Sequence, residues 1–288
     1  GGRASRLLGG GSEFHIRAEA AVARWLGEES ALLFASGYQA NLGLITSLAG
    51  PGDAIVSDEL NHASLIDAAR LSGARLFITR HADPDDVRRA LGAAAGAQLR
   101  IVVTEGIFSM DGDLAPLPDL ARACAEGDAW LVVDEAHAAG VIGPGGRGAW
   151  AAAKVTADAP GADRLLARLV TGSKALGGGG AAVAGSAALI ETLVNRARSF
   201  IFSTAPPPAV AGALTAAIAL LEKSDVRRAR VVLLASRLAS RLGLPAPAGA
   251  IVPVVIGTAG GATRAMERLR AQGFDVRAVR PPAVPEGS

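Results

Sequence analysis

The sequence predicts an α/β fold built on a parallel or mixed sheet, and three observations carry that prediction. Short apolar runs alternate with helical stretches over most of the chain, the pattern of strands joined by covering helices. The runs are continuously apolar rather than alternating, as strands buried on both faces are. Several stop abruptly: residues 130–133, Trp-Leu-Val-Val, end at Asp134, and residues 165–170 lead to Thr171-Gly172-Ser173-Lys174. In open α/β sheets ligands bind beyond the carboxyl ends of the strands, so chemistry is expected at these stops.

Taken in order, residues 1–12 are rich in glycine and arginine and read as loop. Apolar positions at Phe14, Ile16, Ala20, Val22, Ala23 and Leu26 suit a helix that Gly27 stops. A strand at 31–34 runs into Ser36-Gly37-Tyr38, which opens a helix to about Leu48. Amides at such a helix start can seat a phosphate. A strand at 54–56 precedes Asn61-His62-Ala63-Ser64, the start of a helix to Leu71. After a strand at 75–78, Asp83 caps a helix through Leu91 with Pro84 in its first turn. A strand at 100–104 ends in Glu105-Gly106, and a helix at 118–125 leads to the strand at 130–133. Residues 143–148 are a glycine-rich loop, and strands at 165–170 and 181–184 flank Lys174.

Beyond them, Phe200 and Phe202 alternate with Ile201, so residues 199–204 read as a core strand or as a contact between subunits. Pro206-Pro207-Pro208 starts a helix at 209–221, and a long charged helix follows at 225–242. Pro245-Ala246-Pro247-Ala248-Gly249 then breaks the pattern. Strands at 251–256 and 276–279, with a helix at 261–272 between them, would begin a smaller α/β unit. The division expected is a large domain over 1–224 and the incomplete start of a small C-terminal domain over 225–288.

Composition excludes several classes. With 29 basic and 27 acidic residues the net charge is +2, too small for a broad nucleic-acid surface. No signal peptide is visible, and the longest apolar helix is too short to span a bilayer. The single cysteine, Cys124, allows neither an internal disulfide nor a cysteine metal cluster, and suits a reduced, cytoplasmic protein. His15, His62, His81 and His137 lack metal-ligand spacing, so no metal is expected.

The candidate chemistry centres on Asp134, with His137 three positions on, and on Lys174. Singly, a strand-end aspartate is usually a cap, and a lone lysine is usually a solvated charge. Together, in strand-end context among glycines, they suit a cofactor with a cationic ring and a reactive aldehyde. Pyridoxal 5'-phosphate (PLP) has both, its ring nitrogen held by a carboxylate and its aldehyde by a lysine amine as a Schiff base. A phosphate-loop nucleotide site is excluded, because Gly172-Ser173-Lys174-Ala175 lacks the Gly-Lys pair and the following Ser or Thr.

Seven segments in one order extend this reading. They are Ser36-Gly37-Tyr38, Asn61-His62-Ala63-Ser64-Leu65, residues 104–113, Asp134-Glu135-Ala136-His137, Gly145-Gly146-Arg147-Gly148, residues 171–178 and Phe202-Ser203-Thr204. Across nearly the whole chain they resemble the α-oxoamine synthases, PLP enzymes with the fold type I (aspartate aminotransferase-like) architecture. The resemblance implies a large mixed-sheet domain and part of a small α/β domain. It also implies a role for each matching residue. Lys174 carries the cofactor and later moves protons, Asp134 pairs with the ring nitrogen, and His62 stacks on the ring. Ser109 and His137 lie near the ring hydroxyl. The Gly37 and Tyr38 amides and Thr171 seat the phosphate, and Ser203 and Thr204 reach it from the other subunit of a homodimer.

Residues 109–117 and 280–287 resemble the branch of the family that joins L-alanine to a pimeloyl thioester, on CoA or an acyl carrier protein, in biotin synthesis. Branches acting on glycine or serine, and a non-catalytic subunit of the same fold, are the alternatives. Two departures stand out. Family members usually continue past this Val-Pro-x-Gly stretch to a carboxylate-binding arginine that the sequence does not include, and it lacks an initiator Met, so a longer protein is expected. The loop after His137 reads Ala138-Ala139-Gly140 where many members carry Gly-Thr-Gly.

Overall fold

The computed structural model describes residues 4–281, 284 and 287. Helix α1 (Glu13–Leu26) ends at Gly27, whose left-handed backbone (φ 80°) closes the helix at little steric cost. Strand β1 (Ser30–Phe34) passes directly into α2 (Gly37–Leu48), capped by the Ser36 hydroxyl, which accepts from the Gln39 amide. Two strand–helix pairs follow: β2 (Ala54–Asp58) with α3 (Ala63–Ser72), and β3 (Arg75–Thr79) with α4 (Pro84–Ala93), which Asp83 caps. Next come β4 (Arg100–Glu105), α5 (Leu117–Glu126), β5 (Trp130–Asp134), the short α6 (Ala149–Ala152), β6 (Leu165–Thr171) and β7 (Ala181–Gly185). Helices α7 (Ala187–Arg196), α8 (Arg198–Ile201), α9 (Pro208–Leu221), α10 (Asp225–Arg241) and α11 (Ala259–Ala271) complete the described elements.

The strands form one seven-stranded sheet in the order β1-β7-β6-β5-β4-β2-β3. Strands β2 to β6 run parallel, while β7 lies antiparallel between β1 and β6. The sheet is covered on both faces, as continuous apolar strands require. Val132, Leu169 and Val183 pack with Leu44 of α2, Leu65 of α3 and Leu193 of α7 on one face. On the other, Val170 and Ala182 meet Val22 of α1 and Leu214 of α9, and Leu131 and Val133 meet Leu120 of α5. Each fully buried aliphatic side chain contributes about 1.5–3 kcal/mol, so this double core fixes the strand ends firmly.

Three sequence expectations need correction. Residues 251–256 and 276–279 are not strands. An apolar extended run becomes a strand only when another strand takes its amides, and neither segment pairs among the described residues; Val254 and Val255 are exposed. Residues 199–204 are not a core strand either. Residues 199–201 close α8 and 202–204 follow it as a turn, burying Phe200 edge-on against Phe34 with ring centroids 5.8 Å apart and leaving Phe202 exposed. Helix α7 has no counterpart among the predicted elements, although Ser186 caps it and Leu189, Ile190 and Leu193 mark its buried face. Of the stretch 280–287, Pro282, Ala283, Pro285 and Glu286 lie outside the described residues.

Candidate active site

Because β2, β4, β5 and β6 are parallel, their carboxyl ends share one edge of the sheet. Asp58, Glu105, Asp134 and Thr171 stand there as last strand residues. Glu105 is register-paired with Asp134, and Asp134 with Leu169. Strand β1 runs with β6, so α2 also begins at this edge.

Asp134 is buried and meets only neutral donors. The Asn41 side-chain amide donates to its Oδ2 at 2.7 Å and the Ala136 N–H to its Oδ1 at 2.9 Å. Burial raises its pKa above the usual value, and these two bonds with the charges of His62 and Lys174 oppose that rise. A buried carboxylate without a bonded cation calls for one, and a pyridinium N–H meets that demand. Asn41 also donates to Ser64 Oγ at 2.9 Å, and that hydroxyl lies 2.7 Å from His62 Nδ1. One network therefore joins Asp134 to the exposed His62 ring at the start of α3.

Lys174 sits on the turn between β6 and β7 and is exposed. It lines a cavity of 530 Å³ together with His137, Ala136, Gly140 and Leu176. The His137 pKa is pushed down to about 4, first by burial and then by the charges of Lys174 and His62, so its imidazole is neutral near pH 7.

At the phosphate end, the Ser36 cap satisfies the Gln39 amide, and the α2 ladder begins with Ala40 donating to the Ser36 carbonyl. The Gly37 and Tyr38 amides precede that ladder and face out of the helix start. A Cβ on Gly37 would lie 3.9 Å from Thr171 Cβ, which brings the two segments side by side. The Thr171 hydroxyl is 2.9 Å from the Ser173 hydroxyl and donates to the Gly180 carbonyl at 3.3 Å. The acid, the lysine, the flat imidazoles and the helix start thus offer a ring, an aldehyde and a phosphate each its own partner. The residues present fit PLP.

The expected site residues fall into two groups. Asp134, His62, Ser109, His137, Lys174, Gly37, Tyr38 and Thr171 gather at this edge. Ser203 reaches it only through α2, its Oγ accepting from Gln39 Nε2 at 3.2 Å, and Thr204 is exposed with no hydrogen bond among the described residues. Tyr38 uses its hydroxyl on Asp67 of α3 at 2.7 Å, leaving its amide as the site group.

One participant, Asn41, escapes sequence reasoning. Asn41 is a buried amide among the mostly small and apolar residues of the inward face of α2, and that mismatch is its only signal. Glu105 is buried, accepts from the Ser109 amide at 3.1 Å, and has its pKa pushed up to about 8 by burial and by the neighbouring Asp134.

Glu135, next to Asp134, has a structural task. It accepts from the Ala149 and Trp150 amides at 2.6 and 3.0 Å and pairs with Arg168 at 3.1 Å. This fastens the glycine-rich 143–148 loop beneath the site. Gly148 permits it, with φ 88° and no room for a Cβ against the Glu135 carboxylate.

Comparison with known proteins gives the same picture. Residues 4–288 match the family Aminotransferase class I and II. An 8-amino-7-oxononanoate synthase of Nitrosococcus oceani is 47% identical, covering 100% of this chain and 76% of its own length. One from Methylococcus capsulatus is 46% identical, covering 100% and 74%. A solved structure of the serine palmitoyltransferase SPT with PLP superposes with a TM-score of 0.93 at 32% identity, covering 100% of this chain and 72% of that one. On a family match across almost all its length and relatives near half identical, the chain belongs to the class I and II aminotransferases, in their α-oxoamine synthase group.

Proposed function

We propose that this chain condenses L-alanine with a pimeloyl thioester, with loss of CO₂, to give 8-amino-7-oxononanoate for biotin synthesis. The observation that carries the reading is Asp134, buried among neutral donors at the sheet edge that also bears Lys174. The names of the relatives set the substrates.

When bound, PLP supplies an electron sink for negative charge at the amino-acid α-carbon. Asp134 keeps the ring nitrogen protonated, and Asn41 and the Ala136 amide fix the direction of its carboxylate. The Lys174 amine tethers the cofactor and, when free, takes and returns the α-proton. His62 would face the ring, and Ser109 and neutral His137 would hold the ring hydroxyl. The Gly37 and Tyr38 amides with the Thr171 hydroxyl hold the phosphate. Residues 1–224 form the cofactor-binding unit and residues 225–288 belong to a second one.

The test supplies L-alanine, glycine and L-serine with pimeloyl, acetyl, succinyl and palmitoyl thioesters. Turnover is expected for L-alanine with the pimeloyl donor, on CoA or on acyl carrier protein. A preference for glycine or serine would keep the family and reject the substrates.

The working unit in this reading is a homodimer in which Ser203 and Thr204 reach the partner's phosphate. Exposed Phe202 beside them supports it, with 71% of its surface open in the single chain, as does the two-fold exchange such a pair allows. Mixing Lys174→Ala subunits with Thr204→Ala subunits should then restore activity, since one mixed site carries both lesions and the other none. Absence of recovery after demonstrated subunit exchange would remove Thr204 from a shared site.

A further inference from the structure

The His81 ring, just beyond β3, stands between two carboxylates. Its Nδ1 lies 3.0 Å from Asp58 Oδ1 and its Nε2 2.9 Å from Asp113 Oδ2. A neutral imidazole has one N–H, so a ring that donates to a carboxylate on each side is a cation.

The two carboxylates differ in how they are held. Asp58 is part of the sheet edge, and its oxygens also take the Leu60 amide at 2.9 Å and the Ala82 amide at 2.7 Å. Ala82 adopts φ 49° there, a conformation that a non-glycine residue keeps only where its surroundings impose it. Asp113 instead belongs to the loop between β4 and α5. The Phe108 amide donates to the Asp113 carbonyl at 3.0 Å and the Gly112 amide to the Phe108 carbonyl at 2.9 Å, making residues 108–113 one closed turn. Phe108 is fully buried with its ring edge-on to His81, centroids 4.4 Å apart. Ser109 is the next residue.

We propose that His81 is a positioning residue for the reaction above: as a cation bridging Asp58 and Asp113 it pins the 108–113 turn to the sheet, and so sets Ser109 at the cofactor ring. This rests on the PLP reading only for what Ser109 faces.

The charged surroundings agree. Glu59 accepts the His81 amide at 2.9 Å, adding a third carboxylate. The neighbouring cation, Arg80, is already engaged by Asp83 at 2.6 Å and Asp86 at 3.6 Å. Burial lowers the His81 pKa, but its hydrogen bonds to Asp58 and Asp113 and their charges outweigh this and leave it above 6.5. A group whose folded pKa is raised gives its full stabilisation below the unfolded value and loses it as pH rises through the folded one. The turn is therefore held in mild acid and released on the alkaline side.

The experiment follows amide hydrogen exchange of residues 106–114 in the cofactor-free chain between about pH 6 and about pH 9. Strand β6 serves as the reference for intrinsic exchange, and PLP affinity is read by visible titration. In the wild type, protection of this segment should fall with rising pH relative to β6. In His81→Gln it should be low throughout and PLP should bind about tenfold more weakly, the scale of one charged hydrogen bond. In Asp113→Asn, which removes one carboxylate and keeps the shape, the fall should move to lower pH; this variant decides the matter if His81→Gln does not fold. Protection and PLP affinity equal to wild type in His81→Gln, or a loss spread evenly over the chain, would overturn the proposal. Wild-type chain that shows the pH-dependent protection yet binds no PLP would uphold the clamp and reject the PLP reading.

Discussion

Lys174→Ala is expected to abolish turnover, with a fall on the order of 10⁴ from loss of the proton-transferring base alone. The chain should still fold, because Lys174 is exposed on a turn and its side chain bonds nothing among the described residues. Borohydride treatment followed by mass measurement separates the two effects. Wild type should retain the cofactor mass on Lys174, while the variant should retain none and melt at an unchanged temperature. Asp134→Asn makes the complementary case. It should keep bound PLP but lose proton abstraction, since an uncharged ring nitrogen is a poor electron sink. Near wild-type activity in either variant would put the cofactor elsewhere.

Arg168→Ala should cost about 3–5 kcal/mol of stability, the usual loss when one partner of a buried ion pair is removed. Arg168 is almost wholly enclosed in β6. It pairs with Glu135 at 3.1 Å, donates to the Leu26 carbonyl at 3.2 Å and reaches the Arg147 carbonyl. Deleting it strands the Glu135 carboxylate in the core and loosens the loop that Glu135 holds through Ala149 and Trp150. Urea unfolding measures the loss. The double variant Arg168→Met, Glu135→Gln should recover part of it, because Glu135 then carries no charge to strand in the core, while Glu28, 3.8 Å from Arg168, still loses its partner. A loss below about 1 kcal/mol in Arg168→Ala would mean the pair is not the fastener described.

The sheet was legible because its strands are short, continuously apolar, and stop at a polar residue, as residues 130–133 do before Asp134. Its order was not. Residues 181–185 read like any central strand, and nothing local reveals that they run antiparallel between β1 and β6. The same limit explains 251–256, where apolar residues promise a strand and no partner among the described residues makes one. At the site, Asp134 and Lys174 could be found because each is a charged residue at or just past the end of an apolar strand. Asn41 could not, since an amide on a helix gains its meaning only once Asp134, distant in sequence, comes within 2.7 Å. His81 has no metal-ligand spacing and no local motif in the sequence to mark it. Its partners, Asp58 and Asp113, come from two other segments that only the folded sheet assembles.

The antiparallel insertion of β7 has a consequence for how the molecule is made. Ala31 pairs with Ala184 and Phe34 with Ala181, joining the first strand of the sheet to the last. During synthesis β1 leaves the ribosome long before its mate, and closing so long a loop is entropically costly and slow. Until β7 arrives, β1 and β6 each present an open strand edge, which a second nascent chain could capture. The helix start after β1 and the lysine turn after β6 meet only at that closing step. The cofactor seat is therefore a late product of folding, and a refolding chain that has regained its helices has not yet regained its chemistry.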